Sequence, residues 1–148
     1  KNKAVEIAYL SLHTGLGTFK PVKTEDIREH KMEKEEFLIP QETLELLSQA
    51  QKNKQRIFAV GTTTTRALET AALQSSTASL HGYADIFIYP GYNFKMVDCL
   101  LTNFHLPKTT LFMLVCALAG RDLITRAYQE AIEKKYRFYS YGDAMLII

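Results

Sequence analysis

Short apolar segments alternate along this chain with segments of helical periodicity, and this alternation constrains the fold more than any other feature. Apolar runs of strand length occupy residues 57–60 and 86–89, and a further strand is predicted over residues 98–102. Four helices are predicted from apolar residues at helical spacing, and they begin after Pro40, at Arg66, near Thr110 and beside a capping Asp122. Strands that are apolar on both faces are typical of sheets covered by helices on both sides. The sequence therefore predicts an α/β fold with a mainly parallel sheet.

The remaining segments extend this pattern without interrupting it. Strands are predicted over residues 5–12 and 144–148, and Thr24 is predicted to cap a short helix. The 148 residues are 47% apolar and 23% charged, which is the balance of a globular protein. We therefore expect residues 1–148 to form a single unit.

Charge and cysteine content exclude several classes of protein. The net charge of +2 does not by itself indicate nucleic-acid binding, because phosphate contacts depend on local clusters of cations. The two cysteines lie in apolar surroundings and have no metal-type spacing, so we expect buried thiols in a reducing, cytoplasmic compartment. The apolar run near Leu111 is too short to cross a bilayer, and no pair of histidines has zinc-like spacing. We expect neither a membrane partner nor a metal.

Three loops follow predicted strands and are therefore the candidate binding loops, because ligands of parallel α/β sheets bind at the carboxyl ends of the strands. The loop after Val60 contains Gly61 and four consecutive threonines and leads directly into a helix. Free backbone N–H groups and threonine hydroxyls at such a helix start favour an anion. A structural turn followed by a surface pair of Arg66 and Glu69 is the alternative interpretation.

The other two loops give weaker signals on their own. The loop after Thr102 places Asn103 and His105 ahead of a helix, although loop histidines are more often structural. The glycine-bearing loop of residues 13–18 lacks the third glycine of a dinucleotide fingerprint. Further along the chain, residues 136–143 combine aromatic side chains with one arginine and one acid, and they are as compatible with packing as with base stacking.

Taken in order, five segments resemble a known family, the S-adenosylmethionine:tRNA ribosyltransferase-isomerases of queuosine biosynthesis. The segments are residues 12–19, 61–69, 86–92, 102–107 and 136–145. Thr14 departs from the usual valine, and Glu33 stands where the family often has a histidine, whereas His30 and Glu35 match. The resemblance covers nearly the whole chain and corresponds to the C-terminal part of such enzymes.

The resemblance implies a fold, a reaction and a set of site residues. It implies a barrel-like, mainly parallel sheet from the C-terminal portion of the main α/β catalytic domain, without the family's inserted β-barrel domain. It implies S-adenosyl-L-methionine as ribosyl donor, tRNA carrying 7-aminomethyl-7-deazaguanine as acceptor, and no metal. Asp98, His105 and Asp143 are predicted to include the proton-transfer groups, since each lies beside a matched motif. The predicted cofactor-binding residues are His13, Gly15, Gly17, Thr62, Thr63, Arg66, Glu69, Tyr89 and Asn103.

Two alternatives belong to other functional classes. An ordinary S-adenosylmethionine methyltransferase would place a helix after the glycine loop, but here Phe19, Lys20 and Pro21 follow it. A non-catalytic module that binds RNA or cofactor would bind without releasing adenine.

Overall fold

The computed structural model describes residues 5–15, 22, 24, 26–74 and 80–148. In these ranges it has four α-helices, one 3-10 helix and six strands in two sheets. The strands are β1 (Ser11–His13), β2 (Glu35–Ile39), β3 (Phe58–Val60), β4 (Leu80–Ala84), β5 (Cys99–Asn103) and β6 (Ala144–Ile147). The helices are the 3-10 helix Ile27–Glu29, α1 (Gln41–Lys52), α2 (Thr62–Ala72), α3 (Thr110–Ala119) and α4 (Arg121–Glu133).

The first sheet is antiparallel in the order β1-β2-β4, and the sequence did not predict two of its strands. In β2, Glu35, Phe37 and Ile39 are buried in alternation, but the acidic residues before and within it conceal this apolar period. In β4, Gly82 pairs with Phe37, and a Cβ on Gly82 would lie 3.1 Å from the Phe37 ring. The absence of a side chain at Gly82 leaves room for the Phe37 ring. A glycine within a strand also weakens the sequence pattern that would predict that strand.

The second sheet has the order β3-β5-β6, with β3 parallel and β6 antiparallel to β5. The prediction of a mainly parallel, barrel-like sheet is therefore wrong for the described residues, which form one antiparallel and one mixed sheet. One reason is that residues 86–89 form no strand. Ile88 is buried in the core, and the Phe87 and Tyr89 rings contact each other at 5.1 Å.

The N-terminal predictions also need correction. Of the strand predicted over residues 5–12, only Ser11–His13 pairs with a neighbour, since Val5, Ile7 and Tyr9 are exposed. Asp26, rather than Thr24, caps the short helix by accepting a hydrogen bond from the Arg28 backbone N–H. The serines and threonine of residues 75–77 predict a loop, and these residues lie outside the described ranges.

The helices largely follow the sequence prediction. Helix α1 begins directly after Pro40 and buries Leu44 and Leu47. Thr109 caps α3 by accepting a hydrogen bond from the Phe112 N–H at 3.2 Å. Gly120, at φ +86°, ends α3 and also precedes α4, so the predicted Asp122 cap is wrong. A residue that closes one helix and opens the next needs a left-handed backbone, which glycine adopts without strain.

The β3-β5-β6 sheet is buried on one face and uncovered on the other. Ala59 and Leu100 are 1% and 0% exposed and belong to the core shared with the helices. On the opposite face, four apolar side chains are 40–66% exposed, namely Phe58, Val60, Leu101 and Leu146. The alternation is thus that of a half-covered sheet. In the described ranges, no helix combines the length and the apolar character needed to cross a membrane.

Candidate functional site

The loops that follow β3 and β5 meet at one edge of the second sheet. Val60 pairs in parallel with Leu101, and the Gly61 N–H donates to the Leu101 carbonyl at 2.8 Å. Strand β6 runs the other way, so its first residue, Ala144, pairs with Asn103 at the end of β5. Thr62, His105 and Asp143 therefore lie just beyond the same sheet edge, as the sequence predicted for the loops after Val60 and Thr102.

The N-terminus of α2 is the first component of this edge. Gly61 has φ +92°, and the helix starts at Thr62 without a side-chain cap. The Thr65 hydroxyl instead donates to the Gly61 carbonyl at 3.1 Å. The first turn of a helix leaves backbone N–H groups without helical acceptors. Thr62 and Thr63 thus offer donors and a partial positive charge toward an anion.

Arg66 is the second component, and its guanidinium is 2% exposed. Its Nη2 atom contacts the Glu35 carboxylate in an ion pair and lies 3.4 Å from the Ala84 carbonyl oxygen. Within the chain as described, the Nε and Nη1 atoms are buried without hydrogen-bond partners. Burial lowers the pKa of Arg66, and the charge of Glu35 opposes that shift. A buried donor without an acceptor is destabilising. An acceptor placed beside the Nε and Nη1 atoms of Arg66 would therefore form favourable hydrogen bonds with them.

Glu69 lies one turn further along α2 and is fully buried. Its carboxylate accepts hydrogen bonds from the backbone N–H groups of Lys95, Met96 and Val97 at 2.8, 3.0 and 2.9 Å. The Tyr92 hydroxyl donates a fourth hydrogen bond at 3.1 Å, and burial followed by the nearby Glu69 charge raises the pKa of Tyr92 to about 12. These four donors occupy the Glu69 carboxylate, which holds the segment before β5 against α2.

His105 follows β5 and is 9% exposed. Its Nε2 atom lies 3.0 Å from the Thr102 hydroxyl oxygen, and its backbone N–H donates to the Tyr128 hydroxyl oxygen at 2.8 Å. Burial lowers the pKa of His105 to about 4. The imidazole is therefore neutral at pH 7 and contacts Thr102 of β5, while the His105 backbone is bonded to Tyr128 of α4.

Asp143 closes the same edge from the β6 side. The Asn103 side-chain amide donates to the Asp143 carbonyl at 3.2 Å. The Asp143 carboxylate accepts from the Arg137 backbone N–H at 2.5 Å and from its guanidinium at 3.0 and 3.2 Å. The Arg137 hydrogen bonds hold the pKa of Asp143 below its usual value. Asp143 is consequently an ionised acceptor and a poor proton donor.

The remaining predicted site residues lie elsewhere. Asp98 precedes β5, at the opposite end of that strand, and accepts a hydrogen bond from the Ile57 N–H at 2.8 Å. Because a strand rises about 3.3 Å per residue, Asp98 is separated from Asn103 by roughly 16 Å. His13 ends β1 and pairs with Glu36 in the first sheet. Tyr89 lies in the irregular segment after β4.

Only part of the predicted glycine loop lies among the described residues. Gly15 is half-buried, and Gly17 lies outside the described residues. The Val22 N–H donates to the Lys108 carbonyl at 3.1 Å, just before α3. This bond brings the chain that follows the glycine loop toward the loop that holds His105.

Two open cavities among the described residues lie away from this edge. One of about 440 Å³ lies along α1, beside Ser48 and Lys52. Another of about 230 Å³ lies between α1, the end of α2 and Lys95. Among the described residues, no three histidine, cysteine, aspartate or glutamate side chains group closely enough to hold a metal.

Two residues of this arrangement were not among the predicted site residues. Glu35 was noted only as matching the family pattern, and its pairing with Arg66 depends on β2, which the sequence did not predict. Tyr128 lies on the buried face of α4, and its hydroxyl accepts a hydrogen bond from the His105 backbone N–H. A tyrosine on a buried helix face is itself a signal, because its hydroxyl needs a partner there.

Comparison with known proteins assigns the chain to a family. The sequence profile of the family described as queuosine biosynthesis protein matches residues 1–147. The chain therefore belongs to this family. It is 62% identical over its whole length to an S-adenosylmethionine:tRNA ribosyltransferase-isomerase of Sulfurihydrogenibium sp., and 56% identical over 99% of its length to one of Thermosipho africanus.

A solved structure agrees with this assignment. The crystal structure of S-adenosylmethionine tRNA ribosyltransferase from Thermotoga maritima has 51% sequence identity and a TM-score of 0.74, over 77% of this chain and 40% of that one. The chain spans only 43% and 44% of the lengths of the two curated relatives.

Proposed function

We propose that this chain supplies part of the active site of an S-adenosylmethionine:tRNA ribosyltransferase-isomerase. The reaction transfers the ribosyl group of S-adenosyl-L-methionine to 7-aminomethyl-7-deazaguanine in a tRNA anticodon and isomerises it. The product is epoxyqueuosine, and adenine and methionine are released. The names of the relatives support the reaction class. The convergence of two motif loops at one sheet edge is the structural observation on which the proposal rests.

The start of α2 is suited to hold the methionine end of the donor. Its first-turn N–H groups and the unmet nitrogens of Arg66 are all hydrogen-bond donors, and a carboxylate is the acceptor they match best. A tRNA phosphate is the competing anion. Arg66→Ala separates the two in a protein of full family length. Weaker cofactor binding identifies the methionine carboxylate, whereas unchanged cofactor affinity with weaker tRNA binding identifies a phosphate.

His105 and Asp143 are proposed for proton transfer. The acceptor amine forms a bond to the ribosyl C5′ while the C5′–sulfur bond breaks. A base must remove a C5′ proton made acidic by the sulfonium, and an acid must help adenine leave. His105 is neutral at pH 7 and Asp143 is ionised, so each has an acceptor site for a proton and neither is an acid, but the lowered pKa of both groups makes them weak bases in the ligand-free chain. By the same reasoning, the acid comes from another group.

Adenine release tests the function directly. A protein of full family length that contains this chain is mixed with precursor tRNA carrying the aminomethyl deazaguanine and with S-adenosylmethionine labelled in its adenine. Released labelled adenine supports the proposal, and RNA binding without release identifies a binding module instead. In a protein of full family length, His105→Ala and Asp143→Asn are expected to lower turnover. Intact turnover in both variants would refute their assignment.

The cellular setting follows from the same proposal. A tRNA-modifying enzyme works where its tRNA is, so we infer a cytoplasmic location. Both cysteines are free and buried, which is compatible with a reducing compartment.

A further inference from the structure

Residues 136–142, here called the tyrosine segment, lie beside the candidate site and have no role in the function proposed above. The segment connects α4 to β6 and packs against Phe104, the first residue after β5. The Phe138 ring is 5.4 Å from the Phe104 ring, and the Tyr139 N–H donates to the Phe104 carbonyl at 3.0 Å. Because His105 follows Phe104 directly, the tyrosine segment borders the same sheet edge.

Three rings of this segment face solvent while one anchors it. Phe138 packs between Phe104 and Tyr128, whereas Tyr136, Tyr139 and Tyr141 are 49%, 46% and 74% exposed. Tyr139 has φ +61°, a left-handed conformation that is rare for a bulky residue. The segment therefore presents aromatic surface to solvent at the site instead of burying it.

The tyrosine segment is also held in shape at its end. The Arg137 backbone and guanidinium both bind the Asp143 carboxylate. Gly142 has φ +113°, and a Cβ there would lie 3.2 Å from Arg137 Nη2, so the guanidinium passes close over this turn. A surface that is already ordered loses less conformational freedom when it binds a partner.

Charge identifies the kind of contact this surface can make. Between residues 130 and 143, the cations Lys134, Lys135 and Arg137 are balanced by Glu130, Glu133 and Asp143. Lys134 is bonded to Glu130, and Arg137 is bonded to Asp143. Attraction to a phosphate backbone is thus weak here, and the exposed ring faces remain as the main contact surface. Aromatic faces stack on unpaired bases regardless of sequence, whereas bases inside a duplex are not accessible to them.

We propose that Tyr139 and Tyr141 stack on unpaired bases of the RNA loop that presents its nucleotide to the site. The identity of this RNA as an anticodon loop rests on the proposed function. The stacking itself rests on the exposure, position and anchoring of the rings.

Binding to a stem-loop RNA, measured by fluorescence anisotropy without S-adenosylmethionine, tests the proposal. The double variant Tyr139→Ala, Tyr141→Ala is expected to bind the loop at least about tenfold more weakly. The double variant to Phe should bind like the parent, because the ring faces are kept. Tyr83→Ala removes a ring of similar exposure, 53%, from the other sheet and should have no effect. An RNA of the same length without unpaired bases should bind weakly to every form.

Three outcomes would overturn the proposal. They are undiminished binding by the double Ala variant, equal binding of loop and duplex, and loss of binding in the Phe variant. Unchanged RNA binding with capture of a protein through the same rings would assign the surface to a protein partner. Thermal midpoints of all variants check that the exposed substitutions leave the fold intact. Adenine release is measured separately, so failure of the stacking proposal is distinguishable from failure of the proposed function.

Discussion

Two arginine–carboxylate pairs near the candidate site, Arg66–Glu35 and Arg137–Asp143, differ chiefly in their exposure. In the Arg66–Glu35 pair the side chains are 2% and 0% exposed, and the pair joins α2 to β2 of the other sheet. In the Arg137–Asp143 pair they are 65% and 29% exposed, and the pair closes a loop only six residues long. The first contact joins distant segments in the core, while the second shapes a surface segment. The same chemistry therefore contributes to global stability in one place and to local order in the other.

Removing one partner of the buried pair should have the largest effect. Glu35→Ala leaves the Arg66 guanidinium buried without its counter-charge, and the expected loss in free energy of unfolding is about 3–5 kcal/mol. Urea unfolding of the chain measures it. The double variant Glu35→Leu, Arg66→Met removes both charges and should recover much of the loss. A loss below about 1 kcal/mol in Glu35→Ala would mean that the pair does not bind the two sheets together.

The stability of the folded chain should depend on pH because the His105 imidazole is buried. The folded pKa of His105, about 4, lies below its ordinary value of 6.5, so the unfolded chain takes up the proton first as the pH falls. The contribution of the neutral His105 to the free energy of unfolding is fully present above about pH 6.5. It is lost as the pH falls toward 4, and the loss amounts to up to about 3 kcal/mol. Unfolding measured at pH 7.5 and pH 5.0 should show the decline, and His105→Gln should reduce it. Equal slopes in both proteins would contradict a buried neutral His105.

The Glu69 carboxylate is, like that of Glu35, a buried anion, and backbone N–H groups surround it in place of an arginine. Glu69→Gln places an amide group among donors and is expected to destabilise the chain by about 2 kcal/mol. Glu133→Gln is the matched control, since Glu133 is exposed on α4. If both substitutions had the same effect in urea unfolding, the hydrogen bonds from residues 95–97 would not order that segment.

The exposed pair should give the smallest global effect. Asp143→Asn removes the charge that holds Arg137, yet the midpoint of unfolding should hardly change, because exposed pairs contribute little to stability. Hydrogen exchange is the better measurement, since the Arg137 amide then has at most a neutral amide oxygen in place of the charged carboxylate it donates to at 2.5 Å, and it should exchange faster. A global loss as large as that of Glu35→Ala would remove the distinction between the two pairs.

The sequence predicted local elements better than their arrangement. Helices α1 and α3 were predicted from apolar residues at helical spacing, and β5 was predicted as a short strand over residues 98–102. Strand β2 was missed because acidic residues interrupt its pattern, although Glu35 is buried against an arginine 31 residues away. Such a pair cannot be predicted from local periodicity, because its partner is supplied by the tertiary fold.

The candidate site shows the same division. The loops holding Thr62 and His105 were predicted to meet because β3 and β5 are parallel, and they do. Asp143 joins them only because β6 is antiparallel, which the prediction of a mainly parallel sheet did not include. Asp98 lies beside a matched motif in sequence. However, it precedes β5, so the length of that strand separates it from His105 and Asp143.

The uncovered face of the β3-β5-β6 sheet has a consequence for the chain in solution. Phe58, Val60, Leu101 and Leu146 are exposed to water on this face, and exposed apolar side chains lower their free energy when they pair with another apolar surface. Aggregation of the folded chain, more than its unfolding, will then limit the concentration at which the chain stays in solution. Sulfate salts will lower that limit even as they stabilise the folded form.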